Sequence, residues 1–154
     1  MTLAQQSATL IDWDWVARNW GEIVDRTWEH ITLTAVSVGL GLLISLALSI
    51  VALRWRWTLS PITWTTGLLY TIPSLALFAL LVPIVGLNAT NAVIALTSYT
   101  LLILIRNLVA GVDGVPAPVL EAADGMGYTR RSRFWRMEVP LALPVIVAGL
   151  RIAT

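Results

Sequence analysis

Apolar and polar positions divide this chain into long uncharged runs separated by short arginine-bearing stretches. Ile31–Leu53 carries no charge, and neither does Trp57–Ile105. At ~1.5 Å of rise per residue the first run makes a helix of ~35 Å, enough for a hydrocarbon layer ~30 Å thick. The second would be ~74 Å long as one helix, so it must fold back. Pro, Gly and Asn cluster in the stretch from Pro83 through Gly86 and Asn88 to Asn91, which is the chemistry of a turn. The pattern therefore predicts helices over 31–53, 61–83 and 90–108. A fourth apolar run starts at Pro140 and continues to Thr154. As a helix it reaches only ~22 Å, short of the ~30 Å it must cross. The expectation is three complete transmembrane helices plus a truncated fourth, in a chain that is incomplete.

Composition agrees with the pattern. Hydrophobic residues make up 57% and charged residues 12%, where a soluble domain carries about 25% charged. The fold class expected is an all-α integral membrane protein. All ten basic residues are arginine, and there is no cysteine, so disulfides and thiolate chemistry are excluded. His30 is the only histidine, which argues against a histidine metal cluster. Without a lysine the chain has no phosphate-binding P-loop. No catalytic residue, bound cofactor, metal or nucleic-acid partner is expected.

The arginines set a direction. Arg54 and Arg56 follow the first helix, the turn between the second and third is uncharged, and Arg106, Arg130, Arg131, Arg133 and Arg136 precede the fourth run. By the positive-inside rule the N-terminus is outside and the arginine-rich loop inside. Residues 1–29 are then extracytoplasmic. Trp13, Val16, Ala17, Trp20, Ile23, Val24 and Trp28 recur at helical spacing between charged residues, predicting an amphipathic helix at the outer interface.

The loop over 109–138 has its own punctuation. Pro116 and Pro118 suit a helix start. Val119–Met126 reads as a short helix, and Gly127 follows where a left-handed stop is easiest. Thr129 can cap a second short helix carrying the arginines, and Pro140 opens the next span. Basic loops of this kind also set topology and attract anionic membrane lipid.

The order Glu121-Ala122-Ala123, Gly127, Met137, Val139-Pro140 resembles the EAA signature of ATP-binding cassette importer permeases, with Met137 and Val139 in place of Ile and Leu. Three further stretches are similar to permeases for osmoprotectants: Thr71-Ile72-Pro73-Ser74-Leu75-Ala76-Leu77, Ile105-Arg106-Asn107 with Gly111, and Glu138-Val139-Pro140-Leu141-Ala142-Leu143-Pro144 running into Ala148-Gly149-Leu150-Arg151. Asp124, where a basic or small residue is expected, and Leu108, where a hydroxyl is common, depart from the pattern.

The resemblance implies a type-I importer permease domain over 30–154 with a two-helix cytoplasmic coupling loop, in a bacterial inner membrane. It implies a solute such as glycine betaine, carnitine, choline or proline betaine. Its partners would be a cytoplasmic ATPase dimer that binds the ATP, a second permease copy or paralogue, and an extracytoplasmic solute-binding protein. Glu121, Ala122, Ala123, Gly127, Val139 and Pro140 would form the ATPase-coupling loop, though Glu121 also reads as a plain first-turn acid. Tyr70, Pro73, Ser74, Tyr99 and Arg151 are candidates for the translocation path. Pro73 is either a hinge or an ordinary kink, its freed Leu69 carbonyl re-satisfied by hydroxyls such as Thr71 and Ser74. Trp64, Tyr70 and Tyr99 offer rings to a quaternary ammonium. Arg151, ~16 Å along the helix from Pro140, either pairs structurally or faces the path and attracts a carboxylate. Two other readings stand beside the permease: a small self-contained channel or carrier, and an inactive truncated permease.

Overall fold

The computed structural model describes residues 12–154; the expected extracytoplasmic segment falls outside the described residues over positions 1–11. The rest is helical: α1 (Trp13–Arg18), α2 (Trp20–Arg54), a 3₁₀ turn (Arg56–Thr58), α3 (Leu59–Thr71), α4 (Ser74–Val85), α5 (Ala89–Asp113), α6 (Ala117–Gly125), α7 (Arg130–Arg133), a π-helical segment (Phe134–Glu138) and α8 (Val139–Ala153). The chain divides into two compact units, the first ending at Thr32 and the second covering Leu33–Thr154, with the boundary inside α2.

In the first unit, Asp12 caps α1 by accepting the Trp15 N–H at 3.0 Å. The amphipathic stretch expected as one helix is interrupted at Asn19, whose amide donates to the Trp15 carbonyl. From Trp20 onward it forms the opening turns of α2 rather than a separate element. Arg26 pairs with Glu29 at 3.1 Å on an exposed surface, a contact of little energetic weight.

Among the described residues, α2 and α5 are the helices long and apolar enough to cross a membrane. The helix expected over 61–83 is not one rod. It is α3 followed by α4, bent by 96° at a break between them. So three straight spans become two and a bent pair. The reason lies at Pro73. A proline ring drives the preceding residue out of the helical region, and Ile72 is extended at φ −67°, ψ 127°. The Leu69 carbonyl, expected to be left free, accepts the Ile72 N–H instead. Thr71 returns its hydroxyl to Leu68. The Ile72 carbonyl lies between the two helices, and the Tyr99 hydroxyl from α5 donates to it. In an apolar surrounding such a group must be paired.

The α4–α5 turn follows the predicted chemistry. Gly86 takes φ +79° at the α4 C-cap, a conformation that favours glycine. Asn88 caps α5 by accepting the Asn91 N–H at 3.1 Å. Asn91, buried, donates its side-chain amide back to the carbonyls of Phe78 and Gly86.

Small residues let the helices approach. In α2 the buried positions are Ser37, Gly41, Ser45, Ser49 and Ala52, one helix face at near four-residue spacing. A Cβ at Gly41 would fall 1.9 Å from the Thr100 hydroxyl oxygen, and the Thr97 hydroxyl donates to the Ser37 carbonyl across the same contact. Ala52 packs with Ile105 and Val109 of α5. On the other side of α5, a Cβ at Gly149 would lie 2.5 Å from Asn107 Cβ, and one at Gly111 would lie 3.1 Å from the Ala142 carbonyl oxygen.

Pro140 stands in the first turn of α8, as expected, but the chain before it does not break. Arg133, Phe134, Glu138 and Val139 all keep right-handed helical angles, so helical structure runs unbroken from Arg130 to Ala153, ~36 Å at the α-helical rise. Within the π segment the Val139 N–H donates to Phe134, five residues back. That wider turn absorbs the proline's missing N–H and its clash with the preceding turn.

Because Gly149 has no space and an added Cβ at Gly67 meets nothing within 4 Å, the two should respond oppositely. Gly149→Ala should destabilise by about 1–3 kcal/mol through overpacking, and Gly67→Ala should leave stability level or raise it. Thermal unfolding in detergent would read both. Equal melting temperatures would mean that α5 and α8 are not held at this distance.

Candidate functional site: the connection between α5 and α8

Everything between Asp113 and Arg130 is built from turn chemistry. Pro116 occupies the N-cap of α6 and Pro118 its second position, where the missing N–H has no helical partner to lose. At the other end, Gly127 is at φ +81°. Its N–H donates to Asp124 and the Tyr128 N–H donates to Ala123. This pair of bonds is a Schellman stop, so the turn expected at Gly127 is present in full. Thr129 then caps α7 by accepting the Ser132 N–H, also as expected.

Arg133 fastens the two halves. Its guanidinium donates to Asp124 of α6 at 2.5 Å and to Glu138 of the π segment at 3.0 Å. The Glu138 hydrogen bond and the two carboxylate charges hold the guanidinium above its ordinary range, against the opposing effect of desolvation. Asp124, the departure from the family pattern, is thus half of an ion pair. A second tie lies at the foot of the loop. Arg56, just after α2, makes a bidentate pair with Asp113 at the end of α5, at 2.6 and 2.7 Å. The Asp113 hydrogen bond raises the Arg56 guanidinium from its usual value. Two donors in a fork fix direction as well as distance. The sequence offered Arg56 only as a topological charge, and Asp113 drew no attention. Their separation along the chain is 57 residues, which no local signal bridges.

Of the predicted coupling residues, Glu121, Ala122 and Gly127 are exposed. Ala123 is buried, 1% exposed, so it packs α6 onto the protein rather than offering a surface. Gly125 and Met126, which the motif did not single out, join the exposed face, Met126 at 65%. That face combines a small helical surface, one acid and one flexible apolar side chain. Val139 and Pro140 lie apart from it, in the first turn of α8. Their setting is the π-to-α junction.

The candidates for the translocation path do not form one cluster. Tyr70 and Tyr99 meet edge to face, with centroids 5.9 Å apart and ring planes at 71°. Pro73 and Ser74 sit at the bend, both exposed. Arg151 is exposed on α8 and forms no ion pair among the described residues. Also among the described residues, no group of three acidic or histidine side chains is placed to hold a metal ion.

Among the described residues the arrangement is all-helical, with two helices long and apolar enough to cross a membrane. Residues 37–154 match the family described as binding-protein-dependent transport system inner membrane component, and the chain belongs to it. It is 37% identical over 136 residues to the choline transport system permease protein OpuBB of Bacillus subtilis, covering 88% of this chain and 63% of that protein. It is 37% identical over 140 residues to the osmoprotectant import permease protein OsmW of Salmonella typhimurium, covering 88% and 65%. The glycine betaine/carnitine/choline transport system permease protein OpuCB of Bacillus subtilis is 32% identical over 136 residues, covering 88% and 63%. The chain thus spans somewhat under two thirds of these relatives' length.

Gly127→Val should strain the left-handed turn by ~1 kcal/mol or more, although its side chain would have open space. Gly127→Asn, which tolerates this conformation better, should recover most of the loss. A melting series across Gly, Asn, Ala and Val in the assembled membrane protein would check the order; equal stabilities would show that the turn is not left-handed.

Proposed function

We propose that this chain is part of the permease subunit of an ATP-driven importer of osmoprotectants, of the glycine betaine, carnitine, choline or proline betaine class. Family membership supports the transport role, and the names of the three relatives support the solute class. The observation that carries the coupling role is α6: a short helix begun at Pro116 and closed by the Gly127 stop, with Glu121, Ala122, Gly125 and Met126 exposed and Arg133 paired to its Asp124. Such a helix moves as one piece. Seated in a groove of a partner ATPase, it would pass the closure of an ATPase dimer to α5 and α8 through the ties at Asp113 and Glu138.

In this reading the ATP is bound by the partner, a second permease copy or paralogue completes the pathway, and an external binding protein delivers the solute. The N-terminus is outside and the α5–α8 connection is cytoplasmic. The lever needs stiffness more than affinity. Arg133 serves that purpose, because its two carboxylate partners lie on different elements.

The test uses the complete protein with its ATPase and binding protein in proteoliposomes. Glu121→Lys, which reverses the charge on the docking face, should abolish ATP-driven uptake while the protein still inserts and unfolds at its usual temperature. Undiminished uptake would remove α6 from the coupling path. Single cysteines at Asn88 and Ser132 check the orientation: an impermeant thiol reagent should label the first from outside intact cells and spare the second. The reverse pattern would turn the protein over.

A further inference from the structure

The groove between α3 and α5 holds a combination of side chains that the motifs did not bring together. It encloses about 620 Å³ and is lined by Trp64, Gly67, Tyr70 and Thr71 of α3 with Leu102 and Arg106 of α5. Arg106 lies seven residues before the end of α5, ~10 Å along the helix axis, directly after the long uncharged run. A guanidinium inside an apolar helix normally faces a partner or a watery cavity. Arg106 forms no ion pair among the described residues, and it faces this groove.

The opposite wall is aromatic. Trp64 is 77% exposed and Tyr70 45% exposed. The Tyr70 ring is held by its edge-to-face contact with Tyr99, which is itself tied to the Ile72 carbonyl at the bend. Thr63 and Thr71, also in the lining, donate their hydroxyl protons to carbonyls of their own helix, so they can offer oxygen lone pairs but no free proton. Gly67 leaves the middle of the α3 wall bare, with nothing within 4 Å of an added Cβ.

The two walls ask for two different charges. A guanidinium binds a carboxylate through charge-assisted hydrogen bonds. Aromatic faces attract a cation, best one whose charge is spread over methyl groups and sheds water readily. A simple cation gains from the rings but is repelled by Arg106, and a simple anion gains nothing from the rings. We infer that the α3–α5 groove is a transit site for zwitterionic quaternary amines, in which Arg106 takes the carboxylate and the Trp64 and Tyr70 rings take the ammonium. The inference rests on the importer reading above and assigns to Arg106 the role that the sequence had offered to Arg151.

The experiment follows uptake of labelled glycine betaine, which has a carboxylate, and choline, which has none, by the complete transporter in proteoliposomes. Arg106→Gln should lower glycine betaine uptake roughly 10-fold or more, as expected for loss of a charged hydrogen bond, and should leave choline uptake level or raise it. Arg106→Lys should restore part of the glycine betaine uptake. Gly67→Leu should block both solutes without lowering the melting temperature, and Arg151→Gln should not discriminate between them. Equal loss of both solutes in Arg106→Gln, or selective loss in Arg151→Gln, would overturn the assignment. Full uptake in Gly67→Leu would place the solute elsewhere. If the wild-type transporter imported neither solute under ATP, the importer reading would fail first, a result distinct from any change in the ratio between solutes.

Discussion

The distance between α5 and α8 is the constraint on which the rest depends. Between helices in lipid there is little hydrophobic force, so packing and backbone proximity must hold them. Here the absence of two side chains sets the separation: Gly149 against Asn107, and Gly111 against Ala142. The connection carrying α6 starts from one of these helices and returns into the other. Were they free to slide, a displacement of α6 would be lost in the contact. Because they touch through backbone and short side chains, the loop and both helices can act as one body. The residues that give the sequence its family resemblance, Asn107 and Gly111 on one side and Ala142 and Gly149 on the other, are therefore explained by packing before any transport role is invoked.

The break at Pro73 obeys the second rule of an apolar environment, that backbone polar groups be paired within the protein. The break leaves the Ile72 carbonyl between two helices, and the chain supplies a phenol from a neighbouring helix to meet it. One side chain then does two things. Tyr99 closes the break and also orients Tyr70, a wall of the α3–α5 groove. The bend and the groove are coupled through one ring pair, so a change in the 96° angle would be felt where the aromatic face is presented. Pro73 is in this sense a junction between two rigid helices, with its surroundings arranged to keep it so.

Much of the connection between α5 and α8 was legible because its determinants are local. Pro116 at the start, Gly127 at the left-handed stop and Thr129 at the next cap each act within about one helical turn, and each stands where the residue types predict. The readings that failed involved a competition between local rules and neighbours. Pro140 stands in the first turn of α8 as its chemistry predicts, but it does not end the helix before it, because a π segment makes room for the ring. The resemblance places Ala123 in the loop motif but does not reveal which way a short helix turns its faces, and the protein itself covers Ala123.

By itself the sequence determined that the chain is helical and membrane-embedded, where its apolar runs turn, and that a short helix with a glycine stop lies between the third and fourth runs. These follow from charge, hydropathy and turn chemistry, all of which act over a few neighbouring residues. Tertiary structure alone decided that α3 and α4 diverge by 96°, and that helical structure continues from Arg130 through the π segment into α8. It alone brought Asp113 to Arg56 and Tyr99 to Ile72, and set Arg106 and Trp64 along one groove. Those partners stand 57 residues apart in the first case and 27 in the second. Their meeting is set by how closely whole helices can pack, which depends on both surfaces at once and is written in neither alone.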